Sequence, residues 1–322
     1  MSLKIGVIGA GAMGTAIAQV ISENTEELFL FARREKVCED INNKHYNEEY
    51  YPNIKLHENI KATNSLEDFK DIDVIFLCIP SSTIRETTES LKNIISDDSI
   101  LVSTAKGLEH KTNKRMSEII EEIIYRPAVV LSGPNIASEM MENLFTATTI
   151  ASKDNSYVER VKKALNTEKF KVDTNNDVIG TEYCGIIKNV LAISQGIFEG
   201  MDINDNAKFA VFTKSYLETK EIIEKLGGKR DTVDHYCGFG DIITASTLSV
   251  SRNHTLGVLY GQGIIIDEKA SGVLFEGKNT ASILKHLCDK LEINSLTVNF
   301  VYDVIIEKKN AKQSFTRLWD EL

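Results

Sequence analysis

Short, nearly unbroken apolar runs alternate with stretches of helical periodicity through the first half of this chain, and after about residue 175 only the helical pattern continues. Residues 3–8 (LKIGVI), 28–31, 74–79 (VIFLCI), 100–103 and 128–131 predict buried β-strands, and residues 148–151 and 170–172 extend the series. A strand that is apolar along its whole length suits a parallel sheet covered on both faces. Between two of these runs, Met116, Ile119, Ile120, Ile123 and Ile124 fall on one face of an amphipathic helix. The later helices are predicted over residues 181–198, 207–226, 241–260, 278–291 and 298–306, the second ending at the Gly227-Gly228 pair. The pattern predicts a doubly wound α/β domain over residues 1–178 and an all-helical domain over residues 179–322, with a ligand cleft between them.

With 322 residues the chain is long enough for two cores. Its net charge of −10 argues against a nucleic-acid or anionic-membrane surface, so an anionic ligand must be met by locally placed cations. The five cysteines, at 38, 78, 184, 237 and 288, form no CxxC and read as reduced, packed thiols of a cytoplasmic protein. The N-terminal run ending in Ala16-Ile17-Ala18 superficially resembles a signal peptide, but its glycines make a poor hydrophobic segment. No apolar stretch approaches the roughly 20 residues that span a bilayer, so no stable membrane insertion is expected.

The glycine run that follows the first strand carries the clearest chemistry. In Gly9-Ala10-Gly11-Ala12-Met13-Gly14, Gly9 permits a tight turn and Gly11 lets a pyrophosphate approach the backbone. Gly14 lets the helix beginning near Thr15 pack on the strand, and phosphates sit on that helix's N-terminus. The placement between a strand and a helix points to a dinucleotide site in a Rossmann-type sheet, against a Gly-rich turn of no consequence.

Ligands of open α/β sheets bind outside the carboxyl ends of the strands. Pro80-Ser81-Ser82, Lys106-Gly107-Leu108 and Ser132-Gly133-Pro134-Asn135 fall at three such ends. Lys106 reads either as a surface lysine or, from its place beside a glycine, as a ligand cation. In Cys184–Ile193 (CGIIKNVLAI), Lys188 and Asn189 interrupt a helix that is apolar all round. Lysine is almost never fully buried unless paired, and desolvation favours its neutral form. Lys188 is therefore a candidate general acid or base, the alternative being a lysine that snorkels from a half-exposed helix. Gly238-Phe239-Gly240-Asp241 and Ser251-Arg252-Asn253 complete the set. Asp241 reads as an N-cap or a site carboxylate, and Arg252 offers a planar fork suited to phosphate.

Taken together, GAGAMGTAIA, KGLE (106–109), SGPNIASE (132–139), the GIIKN helix, NAKFAVFTK (206–214), GFGD and SRN resemble the NAD(P)-dependent glycerol-3-phosphate dehydrogenases of bacterial type. The order and spacing match over essentially the whole chain. The resemblance implies reversible reduction of dihydroxyacetone phosphate to sn-glycerol 3-phosphate, feeding glycerophospholipid synthesis. By the same resemblance Lys188 matches the proton-transferring lysine, and Asp241 orients it or a substrate hydroxyl. Lys106, Gly133, Asn135, Asp241, Ser251, Arg252 and Asn253 match positions that hold the phosphorylated substrate. Gly9, Gly11, Ala12, Met13, Gly14, Arg33, Lys106, Ala137, Arg252, Leu274 and Glu276 match positions around the dinucleotide. A homodimer is compatible with the resemblance, although no segment demonstrates an interface. Lys214 stands where the family has an arginine, so a point charge replaces a bidentate fork. Asn135, Cys237 and Leu274-Phe275 also depart from the family's usual residues.

An NAD site usually places an acid on the ribose about 20 residues after the glycines. Here the strand 28–31 is followed by Ala32-Arg33-Arg34, which suits a 2′-phosphate and favours NADP over NAD. Two rival readings share the fingerprint. One is a related two-domain dehydrogenase of another small hydroxy acid or ketopantoate, which lacks the GFGD–SRN pairing. The other is a non-catalytic NADP sensor, which has no need of Lys188 and Asp241.

Overall fold

The computed structural model describes residues 3–248, 251–266 and 276–322. Contacts divide the chain into two compact units, Met1–Glu109 with Lys114–Val178, and His110–Asn113 with Ile179–Leu322.

The first unit is built on one eight-stranded sheet in the order β3-β2-β1-β4-β5-β6-β7-β8. Its strands are β1 (Ile5–Ile8), β2 (Leu28–Phe31), β3 (Ile60–Thr63), β4 (Val74–Leu77), β5 (Ile100–Ser103), β6 (Val129–Ser132), β7 (Thr146–Ala151) and β8 (Phe170–Asn175). The near-continuous apolar runs divide by the two-residue pleat. Val74 and Phe76 join one buried cluster with Val7, Leu30 and Val102. Ile75 and Leu77 join the other with Ile8 and Leu101. Helices α1 (Ala12–Ile21), α5 (Ala137–Met141) and α6 (Asn155–Leu165) supply Ile17, Met140 and Val161 to the first cluster. Helices α3 (Ile84–Leu91) and α4 (Met116–Ile124) supply Leu91, Met116 and Ile120 to the second. Helix α2 (Glu35–Lys44) adds Cys38 and Ile41 to the first.

Two features depart from the sequence reading. Strand β3 was not expected, because this edge strand alternates buried Ile60 and Ala62 with exposed Lys61 and reads as polar. Strand β7 pairs antiparallel with β6, whereas every other pairing is parallel. A parallel return needs a crossover of a dozen or more residues, usually a full helix. The five residues of α5 make little more than one turn, so β7 runs back beside β6.

The second unit is helical. Its axis is α7 (Val178–Gly200), in which every residue from 180 to 198 is buried except Lys188. Around it lie α8 (Asp205–Lys225), α9 (Asp241–Thr247), α10 (Arg252–Gly261), α11 (Glu276–Lys290), α12 (Leu296–Ile305) and α13 (Ala311–Asp320). The single helix expected over residues 241–260 is two. Helix α9 ends at Thr247, with Leu248 extended, and Ser251 begins α10 by accepting a hydrogen bond from the His254 amide. Hydroxyl side chains compete for backbone groups and favour such caps over helix interiors. Helix α13 also went unread, and its Phe315 meets Phe198 of α7 at 5.4 Å between ring centres. Buried Glu218 on α8 accepts from the Leu296 and Thr297 amides at 3.0 and 3.2 Å, a carboxylate on the positive end of α12. No helix among the described residues is long and apolar enough to cross a membrane.

Helices α7 and α10 cross backbone to backbone on four glycines. A Cβ on Gly196 or Gly200 would lie 2.1 and 2.2 Å from the His254 and Val258 carbonyl oxygens. One on Gly257 or Gly261 would lie 2.2 and 2.3 Å from those of Ile193 and Ile197. Any side chain at these positions forces the helices apart. Gly257→Ala is therefore expected to lower the melting temperature by about 5 °C, the cost of overpacking a tight core position. An unchanged melting curve would show that the crossing is looser than this geometry.

Candidate active site

In the first unit, Gly9 has φ +112°, a region open chiefly to glycine, and a Cβ there would stand 2.5 Å from the Cys78 carbonyl oxygen. A Cβ on Gly14 would collide with the Gly9 oxygen at 1.8 Å, so α1 can approach β1 only through glycine. Gly11 differs, since a Cβ there would meet nothing within 4 Å. It caps α1 without a side-chain hydrogen bond, and the first turn carries no acid. The first turn of α1, at Ala12 and Met13, thus begins beside open space at the positive end of a helix, a cradle that fits a pyrophosphate.

The loop is held from outside the glycine motif. Asn47 donates to the Ala10 carbonyl at 3.0 Å and to the Thr15 hydroxyl at 2.9 Å, and the Tyr51 hydroxyl donates to the Ala12 carbonyl at 3.1 Å. Neither residue was legible as part of the site, because each sits alone in a polar stretch more than thirty positions from the loop. Beside the glycines is a cavity of about 470 Å³, lined by Ile8, Phe31, Val37, Leu66 and Ile79, with Arg33 and Arg34 also in its wall. An apolar slot bordered by cations matches the adenosine end of a dinucleotide. Arg33 is exposed and makes no ion pair among the described residues, while Arg34 is paired with Glu49.

At the carboxyl ends of β5 and β6, the Lys106 ammonium donates to the Gly133 carbonyl at 3.0 Å. Gly133 is required there, since a Cβ would lie 2.9 Å from the Thr148 Cα. Asn135 was expected to touch substrate, yet its side chain is engaged with β7. Its amide donates to the Ala147 carbonyl at 3.2 Å, and its oxygen accepts from the Thr148 hydroxyl at 3.0 Å. Ala137 opens α5, partly buried against the sheet core.

In the second unit the Lys188 ammonium donates to Asp241 Oδ1 at 2.8 Å. Their side chains are 15% and 3% exposed, so the pair is almost fully desolvated. Asp241 is carried to this position by one π-helical turn, Tyr236–Gly240, that leads into α9. A Cβ on Gly238 would lie 2.2 Å from the Val233 oxygen, and Phe239 packs edge-on to Tyr216 at 5.5 Å. Such wide turns recur where a helix must aim a functional group.

Beside this pair, Asn253 donates to Asn189 Oδ1 at 3.0 Å and accepts from the Gly277 amide at 3.2 Å. Its side chain joins α7, α10 and α11 at the residue next to Lys188. Asn189 was visible in sequence only as a second polar interruption of α7. Ser251 caps α10 by accepting from the His254 amide, whereas Arg252 is exposed and without an ion pair among the described residues. His254 lies buried behind them with Nε2 3.3 Å from Glu199. Burial pushes its imidazole below the ordinary value, opposed by Glu199 and reinforced by Lys208. Lys214 on α8 is half-buried. Leu274 lies outside the described residues, and Glu276 is the first residue of α11.

The arrangement offers an anion cradle beside an apolar slot in one unit, and a buried ammonium–carboxylate pair in the other. Comparisons with known proteins agree with that chemistry. Residues 4–158 match the family described as the NAD-dependent glycerol-3-phosphate dehydrogenase N-terminus, and residues 177–316 match its C-terminus. A glycerol-3-phosphate dehydrogenase [NAD(P)+] of Clostridium botulinum is 36% identical over 318 residues, covering 98% of this chain and 96% of that protein. The crystal structure of glycerol-3-phosphate dehydrogenase from Coxiella burnetii superposes with a TM-score of 0.91 at 28% identity, covering 99% of each chain. A ketopantoate reductase from Ralstonia eutropha, at 12% identity and a TM-score of 0.54 over 98% of this chain and 100% of that one, shares the fold alone. The chain belongs to the NAD(P)-dependent glycerol-3-phosphate dehydrogenase family.

Proposed function

We propose that this protein interconverts dihydroxyacetone phosphate and sn-glycerol 3-phosphate with NAD(P)H, in the cytoplasm, supplying glycerophospholipid synthesis. The observation that carries the reading is the desolvated Lys188–Asp241 pair, in a chain that also builds a dinucleotide cradle. Residues 1–178 then serve as the dinucleotide-binding domain and residues 179–322 as the substrate and catalytic domain. The bound nicotinamide supplies or accepts the hydride.

The chain's own residues handle charge and protons. Reduction builds negative charge on the ketone oxygen, and the Lys188 ammonium stabilises it and delivers the proton. Asp241 accepts a hydrogen bond from that ammonium, fixing its direction in a nearly water-free site. Arg252 and Lys106 are the cations for the substrate phosphate, local exceptions to an acidic chain. Asn253, bound at both ends of its amide, supports this role by setting where Arg252 begins α10. Gly133 keeps the turn beside Lys106 close to β7, and Asn135 pins that turn to the strand. Ala137, Leu274 and Glu276 remain assigned to the dinucleotide by family resemblance. A homodimer is the assembly we expect from the same resemblance.

Arg33, exposed in the cavity wall and without an ion pair among the described residues, is the residue proposed to receive a 2′-phosphate and favour NADP. Arg33→Ala is expected to raise the NADPH Michaelis constant by about tenfold, the worth of one charge-assisted contact, while sparing NADH. Equal effects on both dinucleotides would remove the assignment.

The activity itself is tested by following NADPH oxidation on addition of dihydroxyacetone phosphate. Turnover with another 2-oxo compound alone would favour the hydroxy-acid reading, and dinucleotide binding without turnover of any ketone would favour the sensor. In the active enzyme, Lys188→Ala should reduce kcat by about 10²- to 10⁴-fold with little change in dinucleotide affinity. A near-normal kcat would refute the proton-transfer role.

A further inference from the structure

NADP differs from NAD by one 2′-phosphate, so selectivity turns on which cations that group can reach. Two arginines stand in the cavity wall, but they are not equivalent. Arg33 is without an ion pair among the described residues, whereas Arg34 is in contact with the Glu49 carboxylate. Both members of that pair are well exposed, at 64% and 43%, which by itself marks an ordinary surface contact of small worth.

The position of Glu49 is what removes it from the ordinary. It lies at the tip of a tight turn in which the Tyr50 and Tyr51 amides both donate to the Asn47 carbonyl, at 3.2 and 2.8 Å. The residues at the two ends of this turn, Asn47 and Tyr51, are the ones that grip the glycine loop at Ala10, Thr15 and Ala12. The turn is thus registered to the dinucleotide cradle itself. Tyr50 reaches the same cavity wall from this turn. The neighbouring acid, Glu48, is taken by Lys44 at 2.7 Å, which also holds Asp40 at 2.9 Å. Glu49 is therefore the carboxylate of the turn that faces the arginine pair.

We propose that Glu49 is a specificity-determining residue, which occupies Arg34 and restrains the preference for a 2′-phosphorylated dinucleotide. This rests on the reading of the glycine cradle as a dinucleotide site. A 2′-phosphate must share Arg34 with a carboxylate already in contact with it, or displace that carboxylate. The charge of Glu49 also repels the phosphate across the shared guanidinium. A 2′-hydroxyl carries no charge and meets neither cost. Glu49 thus lowers affinity for NADPH and leaves NADH almost untouched. The other acids nearby, Glu35 in the first turn of α2 and Glu86 in the cavity wall, form no ion pair with either arginine among the described residues.

The test is a fluorescence titration of NADPH and NADH against the full-length wild type, Glu49→Gln, Arg34→Gln and the double variant at low ionic strength. Removing the carboxylate should tighten NADPH by about 3- to 5-fold and leave NADH within about twofold, in line with one exposed ion pair. Adding Arg34→Gln should abolish that gain, because the gain is the freed guanidinium. Glu49 is relieved of this role if Glu49→Gln leaves NADPH affinity unchanged, tightens both dinucleotides alike, or keeps its gain without Arg34. A wild type that binds neither dinucleotide would overturn the cradle reading as well. Binding of both with no effect of Glu49→Gln would overturn the role of Glu49 alone.

Discussion

A charge placed in a helix that is otherwise buried must be paired, and much of the second unit can be understood as meeting that demand for Lys188. Leaving an ammonium unpaired there would cost several kcal/mol, more than most single contacts in a protein supply. The partner comes from Asp241, separated from Lys188 by 53 positions in sequence. The π-helical turn before α9, its glycines, and the aromatic contact between Tyr216 and Phe239 all serve to aim that carboxylate. The four-glycine crossing of α7 and α10 then brings Asn253 within hydrogen-bond distance of Asn189, the neighbour of Lys188. A lysine paired with a carboxylate in a mostly desolvated site fits the proton-donor role proposed for Lys188, which reduction of a ketone requires.

The first unit meets a different constraint, the binding of phosphates by an acidic protein. It does so with backbone rather than with net charge. The glycines leave the N-terminus of α1 uncapped and open, and Asn47 and Tyr51 brace the loop so that its amides hold their direction. Cations enter singly, with Lys106 tied to a carbonyl and Arg34 tied to an acid, leaving Arg33 unengaged among the described residues.

Much of this was legible in sequence, and the remainder was not, for identifiable reasons. The strands with both faces buried announced themselves as apolar runs, whereas edge strand β3 spends half its residues on solvent and did not. Lys188 was conspicuous because its helix is apolar all round, and Asp241 because glycines precede it at the start of a helix. The roles of Asn135, Ser251 and Asn253 were harder. Residue type marks them as polar and near the site, but only the fold shows their side chains spent on β7, on the α10 cap and on α7 with α11. The glycines of α7 and α10 lie more than fifty residues apart and gain their meaning only once the helices touch. Asn47, Tyr51 and Glu49 carry no motif at all, since their contribution depends on a turn that docks onto a distant loop.

The central claim is that the Lys188 ammonium, held by Asp241, delivers the proton to the reduced ketone. It is tested most directly by restoring Lys188→Ala with a primary alkylammonium ion in solution. The account predicts that ethylammonium raises turnover of dihydroxyacetone phosphate saturably, by about tenfold or more, because the vacated site keeps a buried carboxylate to hold a cation. It predicts that the gain is lost when Asp241→Ala is added. Rescue that is indifferent to Asp241, or no rescue at any amine concentration, would contradict it.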